Sequence, residues 1–100
     1  MVSFNKQLSV VLRTGKVEFG TKRAEHLSKS GKIKMVILAS NCPEPNKSKI
    51  LNNAKSSKVP VYIYPGTSIE LASLSEKPFI VASISIKELG DSEILKLVEE

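Results

Sequence analysis

Apolar stretches along the chain predict the strands of a β-sheet. The run Met35–Ala39 is apolar at every position, which is typical of a strand buried on both faces. Lys16–Phe19 alternates polar and apolar side chains, as a short half-buried strand does. Two later runs, 59–64 and 78–86, are also rich in apolar residues typical of strands. The first has Pro60 near its start, where a missing N–H is tolerated. We therefore predict strands over 16–19, 35–39, 59–64 and 78–86.

The segments between these strands have helical spacing and begin at residues that cap helices. Thr67 and Glu70, for example, have the spacing of a capping box, in which side chain and backbone of the first turn bond reciprocally. The predicted helices are one capped by Ser3 that ends at Thr14-Gly15, one from Thr21 as N-cap to Ser30 with Gly31 as its stop, one opened by Pro45, one that begins at Ser68, and a terminal one capped by Asp91 or Ser92.

Helices and strands alternate along the whole chain, and this order predicts a sheet covered by helices on both faces. The expected fold class is therefore α/β: a three-layer α/β/α sandwich with a central mixed sheet of about four strands. The sequence has no linker, internal repeat or low-complexity tract. Residues 1–100 are accordingly predicted to form a single domain.

The composition narrows the classes of function. Cys42 and His26 are each the only residue of their kind, so an internal disulfide and a zinc site of four Cys or His ligands are excluded. Neither residue has partners spaced for nucleophilic catalysis, so we interpret Cys42 as a small buried thiol and His26 as a surface helix residue. No apolar segment has the length of a membrane-spanning helix. We expect a cytoplasmic protein that is not an enzyme and uses no cofactor or metal.

The net charge of +5 is unevenly distributed along the chain. Residues 1–60 carry 12 lysines and arginines against three acids, whereas residues 61–100 carry three lysines against seven acids. Such segregation suits a partner that is a polyanion, for example a nucleic acid. Lysines that only keep a protein soluble would give the same count, so charge alone does not decide.

Turn residues and polar groups follow three of the predicted strands, at Gly20–Arg23, Asn41–Pro43 and Pro65–Thr67. Binding loops of α/β sandwiches cluster where strands give way to helices, and helix N-termini attract phosphate. Each junction also has a plainer interpretation: a turn with solvated cations, an asparagine that bonds its own backbone, and the end of a strand. The segment "FGTKR" lacks both the three glycines of a dinucleotide site and the Gly-Lys-Ser/Thr ending of a P-loop.

Taken together and in order, the motifs resemble those of one family. They are carried by "TGKVEFGTKRAEHLSKSGKIKMVILASNCP", by "VPVYIYPGTSIELASL" and by the ending "GDSEILKLVEE". With these motifs at this spacing, the chain resembles the L-thirty-e ribosomal proteins of the archaeal and eukaryotic large subunit. These belong to the kink-turn-binding superfamily that also contains the L-seven-Ae proteins. The chain departs from the family pattern at Ala72, where "ELA" replaces the common "ELG", and at Tyr64, where a Phe is frequent.

The resemblance implies a structural constituent of the large ribosomal subunit that binds ribosomal RNA at a kink-turn. A kink-turn is an RNA internal loop in which sheared G·A pairs abut a sharply bent bulge. The implied partners are large-subunit rRNA and other ribosomal proteins, with no membrane. The protein is expected in the cytoplasm, on the ribosome, and as a monomer when free. The RNA-binding residues that the resemblance implies are Gly20, Thr21, Lys22, Arg23, Asn41, Tyr64, Pro65, Gly66 and Thr67.

Three alternatives stay open at this point. A kink-turn-binding component of another ribonucleoprotein, such as an RNA-guided modification or RNase P particle, would use the same residues. The segment "GTKR" stands where the L-seven-Ae pattern has "GTNE", which favours the ribosomal branch. A protein-binding signalling module on the same fold tends to be acidic, unlike residues 1–60. An enzyme would need an acid, base and nucleophile set that the sequence does not suggest.

Overall fold

The computed structural model describes residues 4–97, and its elements follow the predicted alternation of helices and strands. The helices are α1 (Phe4–Thr14), α2 (Thr21–Ser30), α3 (Asn46–Ser57) and α4 (Ser68–Leu74). The strands are β1 (Lys16–Phe19), β2 (Met35–Ala39), β3 (Val61–Tyr64) and β4 (Ser83–Glu88), and a 3-10 helix covers Ile94–Leu97. No helix within the described residues is long and apolar enough to cross a membrane.

The four strands form one mixed sheet in the order β1-β4-β2-β3. Strand β4 is antiparallel to both of its neighbours, whereas β2 and β3 are parallel. Strands β1, β2 and β3 therefore all run in the same direction, and their C-terminal ends lie at the same edge of the sheet as the N-terminal end of β4. We call this edge the rim; it is formed by residues 20–23, 40–43, 65–68 and 79–82.

Helices cover both faces of the sheet, because the central strand β2 is apolar on both of its faces. All five residues of β2 are buried, as predicted. Ile37 belongs to a core with Leu8 of α1 and Leu71 of α4. Leu38, its neighbour in the strand, belongs to a second core formed mainly with α2 and α3. The predicted three-layer sandwich with a mixed four-stranded sheet is confirmed.

Small residues bring α2 close to strand β4. Ser83 and Ser85 are buried on the face of β4 that α2 covers, and Ala24 and Ser28 of α2 are buried as well. The hydroxyls of Ser83 and Ser85 have no hydrogen-bond partner within the described part of the chain. Because small side chains meet on both sides, the helix lies near the sheet and its first turn is held at the rim.

Several predicted helix boundaries are confirmed, and one is wrong. Thr67 and Glu70 form the capping box before α4, and Gly31 ends α2 in the left-handed conformation at φ 71°. Thr21 is not the N-cap of α2, however, but its first helical residue. Gly20 occupies the N-cap instead, because its φ of 110° is a conformation that side-chain-bearing residues rarely adopt, and its carbonyl accepts the Ala24 N–H at 3.1 Å.

The largest difference from prediction concerns the last strand, which begins at Ser83 and ends at Glu88 rather than covering 78–86. Pro78 cannot donate to a strand ladder, and the apolar residues after it cross the rim before the chain enters the sheet. Val81 is buried there, but Phe79 and Ile80 are exposed. The apolar run thus predicts a buried strand, but part of it lies on the surface.

The remaining differences are smaller. Strand β3 begins at Val61, two residues later than predicted, because the Val59 N–H donates to the Ala54 carbonyl at 2.8 Å and so belongs to the end of α3. Helix α3 starts at Asn46, directly after Pro45. The predicted terminal helix is a 3-10 helix over its described part, and it begins at Ile94, so neither predicted cap, Asp91 or Ser92, directly precedes it. The predicted cap Ser3 and the final residues 98–100 lie outside the described residues.

Candidate functional site

The three strand ends singled out from the sequence are joined across the rim by backbone hydrogen bonds. The bonds join the end of β1 to the start of β4, the segment before β4 to the end of β2, and the end of β2 to the end of β3. The four rim segments are therefore fixed relative to one another. The bonds run from the Gly20 N–H to the Ser83 carbonyl at 3.3 Å, from the Ala39 N–H to the Ala82 carbonyl at 2.9 Å, and from the Ser40 N–H to the Gly66 carbonyl at 3.1 Å.

Gly20 marks the end of β1 and has open space around it. A Cβ placed there would have no heavy atom within 4 Å, so the glycine serves its backbone conformation rather than packing. With no side chain at this position, a ligand can approach the backbone at the start of α2. Thr21 follows in the first turn of α2 and is partly exposed.

The two adjacent cations of α2 differ in how they are neutralised. Arg23 donates to Glu18 of β1 at 3.3 Å, and Lys87 of β4 donates to the same carboxylate oxygen at 3.4 Å. The hydrogen bonds from Arg23 and then Lys87 hold the pKa of Glu18 below its usual range. Lys22 is exposed and takes part in none of the ion pairs within residues 4–97. Of the two cations, Lys22 therefore has the charge that is free to meet an anion.

A basic surface extends from Lys22 between α2 and α3, away from the rim. Of the residues that the structure describes, Glu25 is the single acid lining it, and the two helices are joined there by the Asn53 side chain, which donates to the Glu25 carbonyl at 3.1 Å. The residues that line this surface are Lys22, Glu25, His26, Lys29, Lys49 and Asn53.

Asn41 connects the end of β2 to the start of α4. Its side-chain oxygen accepts the Ser68 N–H at 2.8 Å, which satisfies one of the free donors at the N-terminus of α4. The alternative in which Asn41 bonds its own backbone is therefore wrong. Because the oxygen is used by the protein, the exposed residue offers its NH₂ group to a partner, and this group has no bond to any other described residue.

The cap made by Asn41 leads to a prediction about stability. Asn41→Ala leaves the Ser68 N–H without its acceptor, so we expect the free energy of unfolding to fall by about 0.5–2 kcal/mol. Asn41→Asp keeps an acceptor near the positive end of α4 and should retain that stability. Urea unfolding of both variants measures the difference, with Asn52→Ala on the exposed side of α3 as a control. An Asn41→Ala protein as stable as the control would show that the cap is unimportant.

Tyr64 ends β3, and its ring is already packed against the protein. It stacks on Phe4 of α1 with ring centroids 5.1 Å apart, and Tyr62 stacks on the same ring at 4.9 Å. Partial burial and then the charge of Glu70 raise the pKa of Tyr64, so its hydroxyl stays protonated. Pro65 beside it is exposed. Tyr64 therefore shapes the junction between β3 and α4, which we call the β3–α4 corner. Only the part of its ring that is not stacked on Phe4 is available to a ligand.

Gly66 lies where the β3–α4 corner is most crowded. A Cβ there would come within 2.6 Å of Cε2 of Tyr64 and 2.9 Å of Oε2 of Glu70. The Gly66 carbonyl accepts hydrogen bonds from both the N–H and the hydroxyl of Ser40. Close packing by Tyr64 thus requires glycine, and the resulting corner is tied to the end of β2.

The sequence prediction missed an exposed apolar patch beside these corners. Its members are Phe79 and Ile80 before β4, which are 52% and 67% exposed, and Ile69 in the first turn of α4, which is 67% exposed. These side chains line one shallow groove together with Pro78 and Lys77. Pro78 alone could not reveal the patch from the sequence, since a proline is tolerated at the first residue of a strand.

Cys42 and His26 have the environments predicted from the sequence, a buried thiol and a surface helix residue. Cys42 is buried beside Asn41, and burial raises the pKa of its thiol, which therefore stays protonated and unreactive. His26 is exposed on α2. Within residues 4–97, no three His, Cys, Asp or Glu side chains are placed to hold a metal ion.

Comparison with known proteins identifies the family. The model of the Ribosomal protein L7Ae/L30e/S12e/Gadd45 family matches residues 3–96. The chain belongs to this family. It is 42% identical over 100 residues to the large ribosomal subunit protein eL30 of Sulfurisphaera tokodaii, which covers 100% of this chain and 94% of that protein. It is 46% identical over 99 residues to eL30 of Saccharolobus solfataricus, covering 99% and 92%, and 43% identical over 97 residues to eL30 of Methanothermobacter thermautotrophicus, covering 97% and 99%.

The fold of the L7Ae/L30e/S12e/Gadd45 family is also found in a solved structure of distant sequence. A protein of unknown function from Bacillus halodurans C superimposes with a TM-score of 0.80, covering 98% of this chain and 97% of its own, at 22% sequence identity. At that identity the likeness concerns the fold alone. The family resemblance read from the ordered motifs is confirmed by the family match and by the eL30 relatives.

Proposed function

We propose that the protein is a structural, non-enzymatic constituent of the large ribosomal subunit and that its rim binds ribosomal RNA at a kink-turn. The observation that carries the proposal is the composition of the rim. One edge of the sheet brings together a free cation at Lys22, an outward amide donor at Asn41, open backbone at Gly20 and an exposed apolar patch. The eL30 relatives, named as large ribosomal subunit proteins, support the ribosomal setting.

Each part of the rim suits a different feature of a bent RNA. Lys22 and the start of α2 suit the crowded phosphates at the bend, because both offer positive potential. The NH₂ group of Asn41 can donate to acceptors on base edges or sugars, which are accessible where pairing is irregular. The patch of Ile69, Phe79 and Ile80 offers apolar contact to a base that the bend has unstacked.

The rim supports binding by preorganisation. Hydrogen bonds from β1 across to β3 fix the relative positions of the four rim segments before RNA arrives. A rigid surface of this kind loses little conformational freedom on binding and favours the bent RNA over its extended conformers. The protein thus acts by selecting one shape of a flexible RNA and holding it.

A binding titration tests the proposal. The protein should bind a kink-turn RNA more tightly than the same RNA with its G·A pairs replaced by Watson–Crick pairs, because only the first can adopt the bend. Equal affinity for the two RNAs would contradict kink-turn recognition. Co-sedimentation with large ribosomal subunits at moderate salt separates the ribosomal role from a role in another ribonucleoprotein, in which the protein would stay in the supernatant.

The different environments of Lys22 and Arg23 predict unequal contributions to binding. Lys22→Gln should weaken RNA binding by roughly three- to tenfold and lower the slope of log affinity against log salt by about 0.7–0.9, as expected for one lost phosphate contact. Arg23→Gln should have a smaller effect because that guanidinium is already paired with Glu18, which neutralises part of its charge. Titrations between 50 and 200 mM salt measure both. A larger loss for Arg23→Gln would overturn the assignment of Lys22 as the free cation.

A further inference from the structure

A second cationic groove lies at the β1 edge of the sheet, on the opposite face from the α2–α3 surface. The groove has a volume of about 660 Å³ and is lined by α1, the whole of β1 and the turn after α4. Four cations from different elements meet there, although two of them come from the acidic half of the sequence. Its charged lining residues are Arg13, Lys16, Lys77 and Lys87, with Glu18 and Glu76 as the acids.

Three of these four cations keep most of their charge available. Among residues 4–97, Arg13 donates only to the Ser9 carbonyl in its own helix, at 3.4 Å. Lys16 approaches Glu88 only to 4.0 Å, and both side chains are mostly exposed, so that ion pair is weak. Lys77 lies 5.0 Å from the centre of the Phe19 ring, a contact that leaves its charge unneutralised. Of the four, Lys87 alone has a close ion pair within the described part of the chain, with Glu18 at 3.4 Å.

The groove is continuous with the rim. Phe19 is the last residue of β1 and packs edge-to-face on Phe79 of the exposed apolar patch, with ring centroids 6.2 Å apart. Lys77 therefore lies at the rim end of the groove. Arg13 and Lys16 lie at the other end of β1, about 10 Å away for a strand of this length. Cations thus continue from the rim along the outer edge of the sheet.

We propose that this groove is a second RNA-binding surface, which holds phosphates of a strand that leaves the bend on the β1 side. The inference rests on the proposed function and extends it, because the rim holds the bend and the groove holds one of the stems that diverge from it. Cations spread along an extended groove match the repeated charges of a phosphate backbone better than one compact anion.

The test compares RNAs that differ only in stem length. One RNA carries the kink-turn with both stems trimmed close to the bend, and two others each extend one stem. We expect Arg13→Gln/Lys16→Gln, which changes only the end of the groove far from the rim, to bind one of the extended RNAs roughly tenfold more weakly than the unmodified protein, with a salt slope lower by about 0.7–0.9 per lost contact. Binding of the trimmed RNA should change much less.

The matched control is Lys32→Gln/Lys55→Gln, which removes the same charge from exposed sites on the α2–α3 side, at the ends of those helices far from the rim. If the groove variant binds both extended RNAs as tightly as this control does, the inference is wrong. In that case a preference for the intact kink-turn would still support the proposed function. Loss of that preference in the unmodified protein would instead contradict the proposed function and this inference together.

Discussion

Replacing Phe79 and Ile80 together by alanine should weaken kink-turn binding by about 5- to 150-fold, which corresponds to roughly 1–3 kcal/mol for one stacked base. The two side chains are the most accessible apolar groups of the segment that enters β4. They lie between the β1 corner and the β2 corner, in the middle of the rim. An unstacked base placed there would remove apolar surface of both partners from water, and alanine cannot replace that contact.

The same double variant should unfold at nearly the same denaturant concentration as the unmodified protein, because both side chains are more than half exposed. Isothermal titration and urea unfolding measure the two quantities separately. Ile63→Ala is the matched control, since Ile63 is 42% exposed and belongs to the edge strand β3 rather than to the apolar patch. If the rim variant kept its affinity, or lost no more than the Ile63 control, the apolar patch would not be part of the interface.

This patch also shows where sequence reasoning was insufficient. The letters "PFIVASISI" contain an apolar run and a later alternating part, and only the alternating part is in the sheet. Whether an apolar residue faces the core depends on where the chain crosses the sheet edge, which is a property of the tertiary fold. A surface patch and a buried strand therefore have the same local composition at this position.

Features with local causes were predictable. The buried character of Met35–Ala39, the capping box of Thr67 and Glu70, and the left-handed stop at Gly31 each follow from a few neighbouring residues. The rim itself also follows from the alternation of helices and strands, because strands of one direction end at one edge. These local signals predict the fold class and the positions of the three junctions at which a strand gives way to a helix.

Contacts between residues distant in sequence could not be predicted in the same way. The bond between Asn41 and the Ser68 N–H joins positions 27 residues apart, and Lys87 meets Glu18 across 69 residues. The first contact fixes which group Asn41 offers to a partner, and the second makes Arg23 share the charge of Glu18 with another cation. The chemical roles within the candidate site thus depend on pairings that only the fold reveals.

Gly66→Ala should lower both stability and RNA affinity, because the new methyl group has no room. Its Cβ would lie 2.6 Å and 3.0 Å from two ring carbons of Tyr64, and stacking on Phe4 restrains that ring from moving away. We expect the free energy of unfolding to fall by about 1–3 kcal/mol, as for other overpacked sites. Affinity should fall with it, since a shifted corner weakens the bonds from Ser40 to the Gly66 carbonyl that join β2 to β3.

A double-mutant cycle identifies the cause of this loss. In a Tyr64→Phe background both crowding ring carbons persist, so Gly66→Ala should cost as much as in the unmodified protein. In a Tyr64→Leu background those carbons are absent, and the cost of Gly66→Ala should largely disappear. RNA affinity should follow the same pattern, so that Tyr64→Leu/Gly66→Ala binds as tightly as Tyr64→Leu alone. Equal costs in the Phe and Leu backgrounds would mean that the ring does not impose glycine at position 66, and that the corner is set by another contact.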